Sequence, residues 1–194
     1  MADSVRSASD NQLYALLRSD AEREAAFAEL YARYSSRVWL YCRRIVGDEA
    51  LADDLFQDTF LRFLKSASQE REMTNVPAYL LRIARNLCLN AKRDHKTTVA
   101  LEDFHFQFED RSAEYAELAR LVAMALDLLP DDHKEALSLQ TYGGLSYKEI
   151  ADIMGVPMTT VRNWIVRAKK KMREILSPYL ADVPVRSQKM RGSI

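Results

Sequence analysis

Apolar residues recur at three- and four-residue steps through nearly the whole chain, and that spacing confines it to helices. Phe27, Leu30, Tyr31, Tyr34, Val38, Cys42 and Ile45 trace one long amphipathic stripe that stops at Gly47. Ser9 and Gln12 form a capping-box pattern ahead of Leu13, Leu16 and Leu17. Asp48 is placed to cap a further helix with Ala52, Phe56, Thr59 and Phe63 on one face. Pro77 suits the first turn of a fourth helix that runs as far as Asp94.

The pattern breaks over 97–111, where Phe104, Phe106 and Phe108 alternate with polar residues. A strand needs a partner, and no other segment offers one, so an extended linker is expected. From Ser112 the helical spacing returns in Leu118, Leu121, Val122, Ala125 and Leu129. Pro130 ends that helix, Asp131 or Asp132 caps the next, and Gly143 with Gly144 ends it in turn. The tail beyond Leu180 is polar, carries Pro184 and has no period, so disorder is expected. The expected fold is all-α: two small helical domains, 1–96 and 118–180, joined by a flexible acidic linker over 97–117 and followed by a disordered tail over 181–194.

Charge bears on partners. The 194 residues hold 28 Lys and Arg against 28 Asp and Glu, a zero total that argues against a nucleic-acid role. Taken by segment, 1–30 has 3 basic and 6 acidic residues, or −3, and 31–96 has 12 and 8, or +4. Residues 97–132 have 2 and 9, or −7, and 133–194 have 11 and 5, or +6. The zero is a cancellation between two basic blocks and an acidic one. The longest apolar run, Leu121 to Leu126, is six residues, far short of a membrane span. The opening residues carry no basic-then-apolar leader, and Cys42 and Cys88 are too few for a disulfide framework. A cytoplasmic location is expected.

The most specific pattern is LSYKEIADIMGVPMTTVRNWIVRAKKKMREIL over 145–176. Ser146 and Glu149 make a capping box for a short helix with Ile150, Ala151 and Met154 inward. Gly155 sits where a sharp turn needs positive φ, and Pro157 prepares the entry to a longer helix: a helix-turn-helix. At about 100° per residue, Val161, Ile165, Ala168, Met172, Ile175 and Leu176 form the packed face. Thr159, Arg162, Asn163, Val166, Arg167, Lys170 and Arg173 lie toward the other, where Arg can pair with guanine and Asn with adenine in a major groove. Lys169, Lys170 and Lys171 suit phosphates. Trp164 falls between the two faces as a half-buried flank residue.

The helix from Pro77 presents Arg82, Arg85, Asn86, Leu89, Arg93 and Lys96 outward, with Tyr79 on the flank. Cations beside an aromatic ring suit unstacked nucleic acid, and a solvated basic face is an equal reading of these residues alone. The helix after Asp48 turns Asp54, Gln57, Asp58 and Leu61 outward, an acidic face that repels DNA and suits a protein partner anchored by the leucine.

Together these segments resemble the extracytoplasmic-function sigma factors of bacterial RNA polymerase. The resemblance runs from residue 20 to 178, through FAELYARYSSRVWLYCRRIVGDEALADDLFQDTFLRF, VPAYLLRIARNLCLNAKR and LPDDHKEALSLQTYGGLSYKEIADIMGVPMTTVRNWIVRAKKKMRE. It implies that 1–96 is sigma region 2 and 118–180 sigma region 4. It implies that Asp54, Gln57, Asp58 and Leu61 dock on the coiled-coil clamp of core polymerase. Tyr79, Arg82, Arg85, Asn86 and Arg93 would read and open the minus-ten promoter element, with the loop 68–76 holding a flipped base. Thr159, Thr160, Arg162, Asn163, Val166, Arg167 and Lys170 would read the minus-thirty-five element, and the linker would thread toward the polymerase cleft. Tyr79 stands where the family usually has tryptophan, Asn90 where aspartate is common, and Trp164 where a basic residue is frequent. The implied partners are core RNA polymerase, promoter DNA and an anti-sigma factor, with no small-molecule substrate.

Two other classes compete. A stand-alone helix-turn-helix regulator leaves the acidic Gln57/Leu61 face unexplained. An enzyme fares worse: His95, His105 and His133 lack metal-ligand spacing and no Gly-rich phosphate loop exists, so no catalytic residue, cofactor or metal is expected. Cys42 and Cys88 fall on or near packed faces and read as core filling.

Overall fold

The computed structural model describes residues 2–68, 73–94 and 113–180, and every regular element among them is a helix. Of the linker expected over 97–117, residues 97–112 lie outside the described residues, as does the tail beyond Leu180, while 113–117 are not linker but the first residues of a helix, Ala113–Asp127.

The first half is built on α3, Arg23–Val46, which ends at Gly47 in the left-handed conformation, φ 82°, that the sequence stop signal requires. Before it come α1, Ala2–Ser7, and α2, Asp10–Leu16. The Ser9/Gln12 box forms as expected, with the Ser9 N–H donating to Gln12 Oε1 at 2.8 Å. The sequence signals begin at Ser9 and miss α1, which is too short to show a period. Its anchor is Arg33 of α3, whose guanidinium donates to the carbonyls of Arg6 at 2.8 Å and Ala8 at 3.0 Å and pairs with Asp10 at 2.9 Å. α4, Glu49–Ala67, starts from Asp48, whose carboxylate accepts the Leu51 N–H at 2.6 Å. α5, Val76–Asp94, starts from Asn75, whose side-chain oxygen accepts the Ala78 N–H at 2.9 Å.

These helices close on Leu13, Tyr14, Leu30, Val38, Tyr41, Cys42, Phe63, Leu80 and Cys88, all buried. Each large apolar side chain so removed from water contributes about 1.5–3 kcal/mol. Phe27, Tyr31, Phe56 and Phe60 pack in edge-on and tilted contacts along the α3–α4 seam, with the closest ring centroids, Tyr31 and Phe60, 4.9 Å apart.

The second half holds α6 (Ala113–Asp127), α7 (Asp131–Thr141), α8 (Tyr147–Met154) and α9 (Met158–Leu180). Leu139, Ile150, Val161, Ile165 and Ala168 are its fully buried centre. The cap expected from Asp131 or Asp132 does not form: Pro130 is the N-cap and makes no side-chain bond. Both aspartates instead lie in the first turn, where a carboxylate meets the positive end of the helix dipole. On α8, Ile153 is buried with Ile150 and Ala151, while Met154 is only partly covered.

The two halves are packed against each other, which their separate sequence patterns do not announce. Arg44, in the last turn of α3, donates to the Ala123 carbonyl at 3.1 Å and to Asp127 at 2.9 Å. Glu135 of α7 accepts from Arg85 of α5 at 2.6 Å and from the Tyr41 hydroxyl at 3.2 Å. Glu149 of α8 accepts from the Asn75 amide. Leu81 of α5 comes so near Gly143 that a Cβ there would stand 2.4 Å from its terminal methyl.

The α8 capping box is complete, with Ser146 N–H to Glu149 Oε2 at 2.7 Å and Glu149 N–H to Ser146 Oγ at 3.3 Å. Ser146→Ala should lower the unfolding free energy by about 1 kcal/mol, read from urea titrations of the two proteins.

Candidate nucleic-acid interface

The helix-turn-helix is α8, a turn at Gly155 and α9. Gly155 has φ 69° and open space around its Cβ direction, so backbone conformation alone asks for glycine there. Pro157 immediately precedes α9 and its carbonyl accepts the Thr160 N–H at 2.9 Å. Val161, Ile165 and Ala168 seal the inner face. Thr159, Arg162, Asn163, Val166, Arg167 and Lys170 are exposed along the outer face, and Thr160 is half-buried. The helix therefore presents one exposed ridge of donors and cations. Trp164 is half-buried on the flank, 6.4 Å from the His133 ring.

On α5 the outward residues divide. Arg82, Asn86 and Arg93 are exposed, and Tyr79 is half-buried against Phe63 at 6.3 Å. Arg85 is not free: its guanidinium is 17% exposed and forks onto Glu135 at 2.6 and 3.4 Å. On α4, Asp54, Gln57 and Leu61 are exposed, Leu61 to 57%, and Asp58 pairs with Arg62 one turn on at 2.9 Å. A large apolar side chain at that exposure, ringed by carboxylates, is the anchor geometry expected of a protein-docking face. The α5 stripe, α4 face and α9 ridge are three separate surfaces.

Cys42 and Cys88 are buried and in contact. The hydrogen bond that the Cys88 thiol donates to Cys42, with burial added to it, pushes that thiol well above its ordinary range. A thiol held neutral in a core is a poor nucleophile. Among the described residues no cluster of His, Cys, Asp or Glu could hold a metal ion, and no helix is long and apolar enough to cross a membrane.

Residues 30–98 match the model of sigma-70 region 2, and residues 119–172 that of sigma-70 region 4. The RNA polymerase sigma factor CarQ of Myxococcus xanthus is 32% identical over 155 residues, covering 78% of this chain and 89% of that protein. The chain belongs to the extracytoplasmic-function sigma factors. The sigma factor SigM of Bacillus subtilis is 29% identical, over 76% of this chain and 93% of its own. Among solved structures, CnrH in complex with the cytosolic domain of CnrY superimposes with a TM-score of 0.65 at 25% identity, over 88% of this chain and 99% of that one. The sigma factor RpoE of Bartonella quintana, in complex with the anti-sigma factor NepR, gives 0.66 at 22% identity, over 78% and 96%, a likeness of fold.

Sigma factors bind core RNA polymerase and promoter DNA to start transcription, so this protein is a transcription initiation factor with a helix-turn-helix region 4. The stand-alone regulator considered from the sequence is not favoured, because region 2 is present and folded beside region 4. Sequence reasoning missed Asn75 and Glu135. Asn75 had a usable signal, as an Asn two residues before a proline that opens a helix. Glu135 had none, since its partners lie 94 and 50 residues away.

The Ser146 hydroxyl and backbone N–H, with Asn75 beside them, hold the Glu149 carboxyl below the usual carboxylate range. A depressed folded-state pKa stabilises the protein above the unfolded value of about 4.3 and is lost as pH falls through the lower folded value. Glu149→Gln should therefore lose less stability than the wild type on acidification through that window, as thermal midpoints taken along a pH series would record.

Proposed function

We propose that this sigma factor divides its work among the three surfaces residue by residue. Residues 1–96 act as sigma region 2, α6 to α9 as sigma region 4, and the acidic segment before α6, the greater part of the 97–117 stretch, as a linker entering the polymerase cleft. Asp54, Gln57, Asp58 and Leu61 dock on core polymerase. Tyr79, Arg82, Arg85, Asn86 and Arg93 bind the minus-ten element, trapping unstacked bases between ring and cations. Thr159, Thr160, Arg162, Asn163, Val166, Arg167 and Lys170 bind the minus-thirty-five element. The observation that carries this assignment is the exposed α9 ridge, a helix-turn-helix recognition face with its opposite side sealed into the core.

No catalytic step belongs to the chain. It acts in the cytoplasm, where polymerase is, by placing two weak DNA-binding domains at once, so that linkage through polymerase supplies the effective concentration for each. An anti-sigma factor holds it inactive. The solved complexes of RpoE with NepR and of CnrH with CnrY support that reading.

Run-off transcription with purified core polymerase on genomic fragments tests the function and yields the promoter sequence together. Within that assay, Asp54→Lys combined with Asp58→Lys should abolish core binding in sedimentation while leaving the thermal midpoint close to wild type, because Asp54 is exposed and Asp58 gives up only a surface pair with Arg62. Unchanged core affinity would remove the α4 assignment. Arg162→Ala or Asn163→Ala should each cost about 1–3 kcal/mol of discrimination at particular base pairs of the minus-thirty-five element. A uniform loss across all sequences would instead mark those side chains as phosphate contacts.

A further inference from the structure

On the exposed side of α9, the residues at four-residue steps are Met158, Arg162, Val166 and Lys170, each one turn beyond the last and so in a single row. The row alternates apolar and cationic side chains. Met158 is 54% exposed and Val166 55%, while Val161, Ile165 and Ala168 of the same helix are fully buried. Neither of the two is part of the core, and neither gains anything from a phosphate. Arg162 stands exposed between them, and Lys170 closes the row 3.9 Å from Glu174. The first three members therefore present an apolar group, a guanidinium and an apolar group in order. Each step covers about 6 Å along the helix, close to two base pairs at about 3.4 Å each.

Base edges in a major groove offer hydrogen-bonding groups at every pair but only one apolar group, the C5-methyl of thymine. We propose that Met158 and Val166 read thymine by that methyl, on either side of a guanine read by Arg162, so that the minus-thirty-five element holds a guanine bracketed by two thymine-bearing base pairs. The proposal rests on the assignment of the α9 ridge to that element. Met158, at the N-terminal end that a recognition helix turns toward the bases, becomes a specificity-determining residue, and Val166 gains a defined partner atom. The methyl lies in the groove whichever strand carries the thymine. Burying one such methyl gives about a fourfold preference for thymine over uracil. An apolar contact releases no counterions, so that preference is independent of salt, unlike the contacts of Arg167 and Lys170 with phosphates.

The test uses holoenzyme assembled from the full chain and purified core polymerase. Its probe is the promoter fragment recovered by run-off transcription, resynthesised with deoxyuridine for one thymidine of the minus-thirty-five element at a time, on each strand in turn. Uracil pairs as thymine does and lacks only the methyl. Wild-type affinity should fall about fourfold at two positions, one on each side of the guanine whose preference Arg162→Ala relaxes, and by the same factor at low and high salt. Val166→Ser should make one of those positions indifferent to uracil. Met158→Gln, which keeps the length of the side chain, should do so at the other. Both variants should keep the wild-type thermal midpoint, since each residue is more than half exposed. The wild-type scan needs no variant, so a folding defect in either cannot obscure it. Uracil tolerated at every position, while Arg162→Ala still relaxes a guanine, would overturn the proposal and leave the α9 assignment standing. Uracil sensitivity that V166S and M158Q both retain would overturn it as well. If Arg162→Ala and Asn163→Ala relax no base pair, the α9 assignment itself fails and the proposal fails with it.

Discussion

One buried carboxylate joins the halves of this protein. Glu135 is 8% exposed and receives the Arg85 guanidinium and the Tyr41 hydroxyl, from two helices that belong to the other half. Taking a carboxylate out of water is unfavourable unless its lone pairs are met, and here three donor contacts meet them. The consequence is geometric. With α7 fixed against α3 and α5 at that point, α8 is carried to the start of α5, where Glu149 completes both its own capping box and a bond to Asn75. Arg44, reaching Ala123 and Asp127, fixes the same relation from the end of α3.

Much of the local structure was legible in the sequence because its determinants are short-range. The Ser9 and Ser146 boxes, the Asp48 cap and the left-handed glycines at 47 and 155 each act within four residues. The inner and outer faces of α9 followed from period alone, and Val161, Ile165 and Ala168 are buried as that period requires. The Asp131/Asp132 cap failed for an equally local reason: Pro130, fixed near φ −55°, already occupies the N-cap position, which moves both aspartates inside the first turn.

The packing of one half on the other was not legible, and Arg85 shows why. Helical phase places it on the outward stripe of α5, correctly, yet outward from one domain is inward to the next. Periodicity reports burial within a helix's own domain and is blind to a second surface arriving from 50 residues away. Charge segments came closer. Two members of the −7 segment lie against basic side chains of the +4 segment: Asp127 against Arg44 and Asp131 beside Lys92. The carboxylates that accept from α5 and its cap, Glu135 and Glu149, come from the +6 segment, where the net sign hid them.

A buried ion pair of this kind makes the packing of the two halves specific more than it makes it stable. Desolvation offsets most of the Coulombic attraction, so the pair adds little net stability to the closed state compared with both groups hydrated. Removing one partner while the other stays buried is costly, which makes the closed geometry specific; separating the two into water together is not, which makes it reversible. The seam around the pair is mixed: Leu81 meets Gly143, while polar contacts join Asn75 to Glu149 and Lys92 to Asp131. A partner that engages the exposed α4 face and separates the halves would therefore work against a modest closing free energy. Each half also holds fully buried apolar residues of its own, Leu30, Phe63 and Leu80 in one and Leu139, Ile150 and Ile165 in the other, as separate domains require.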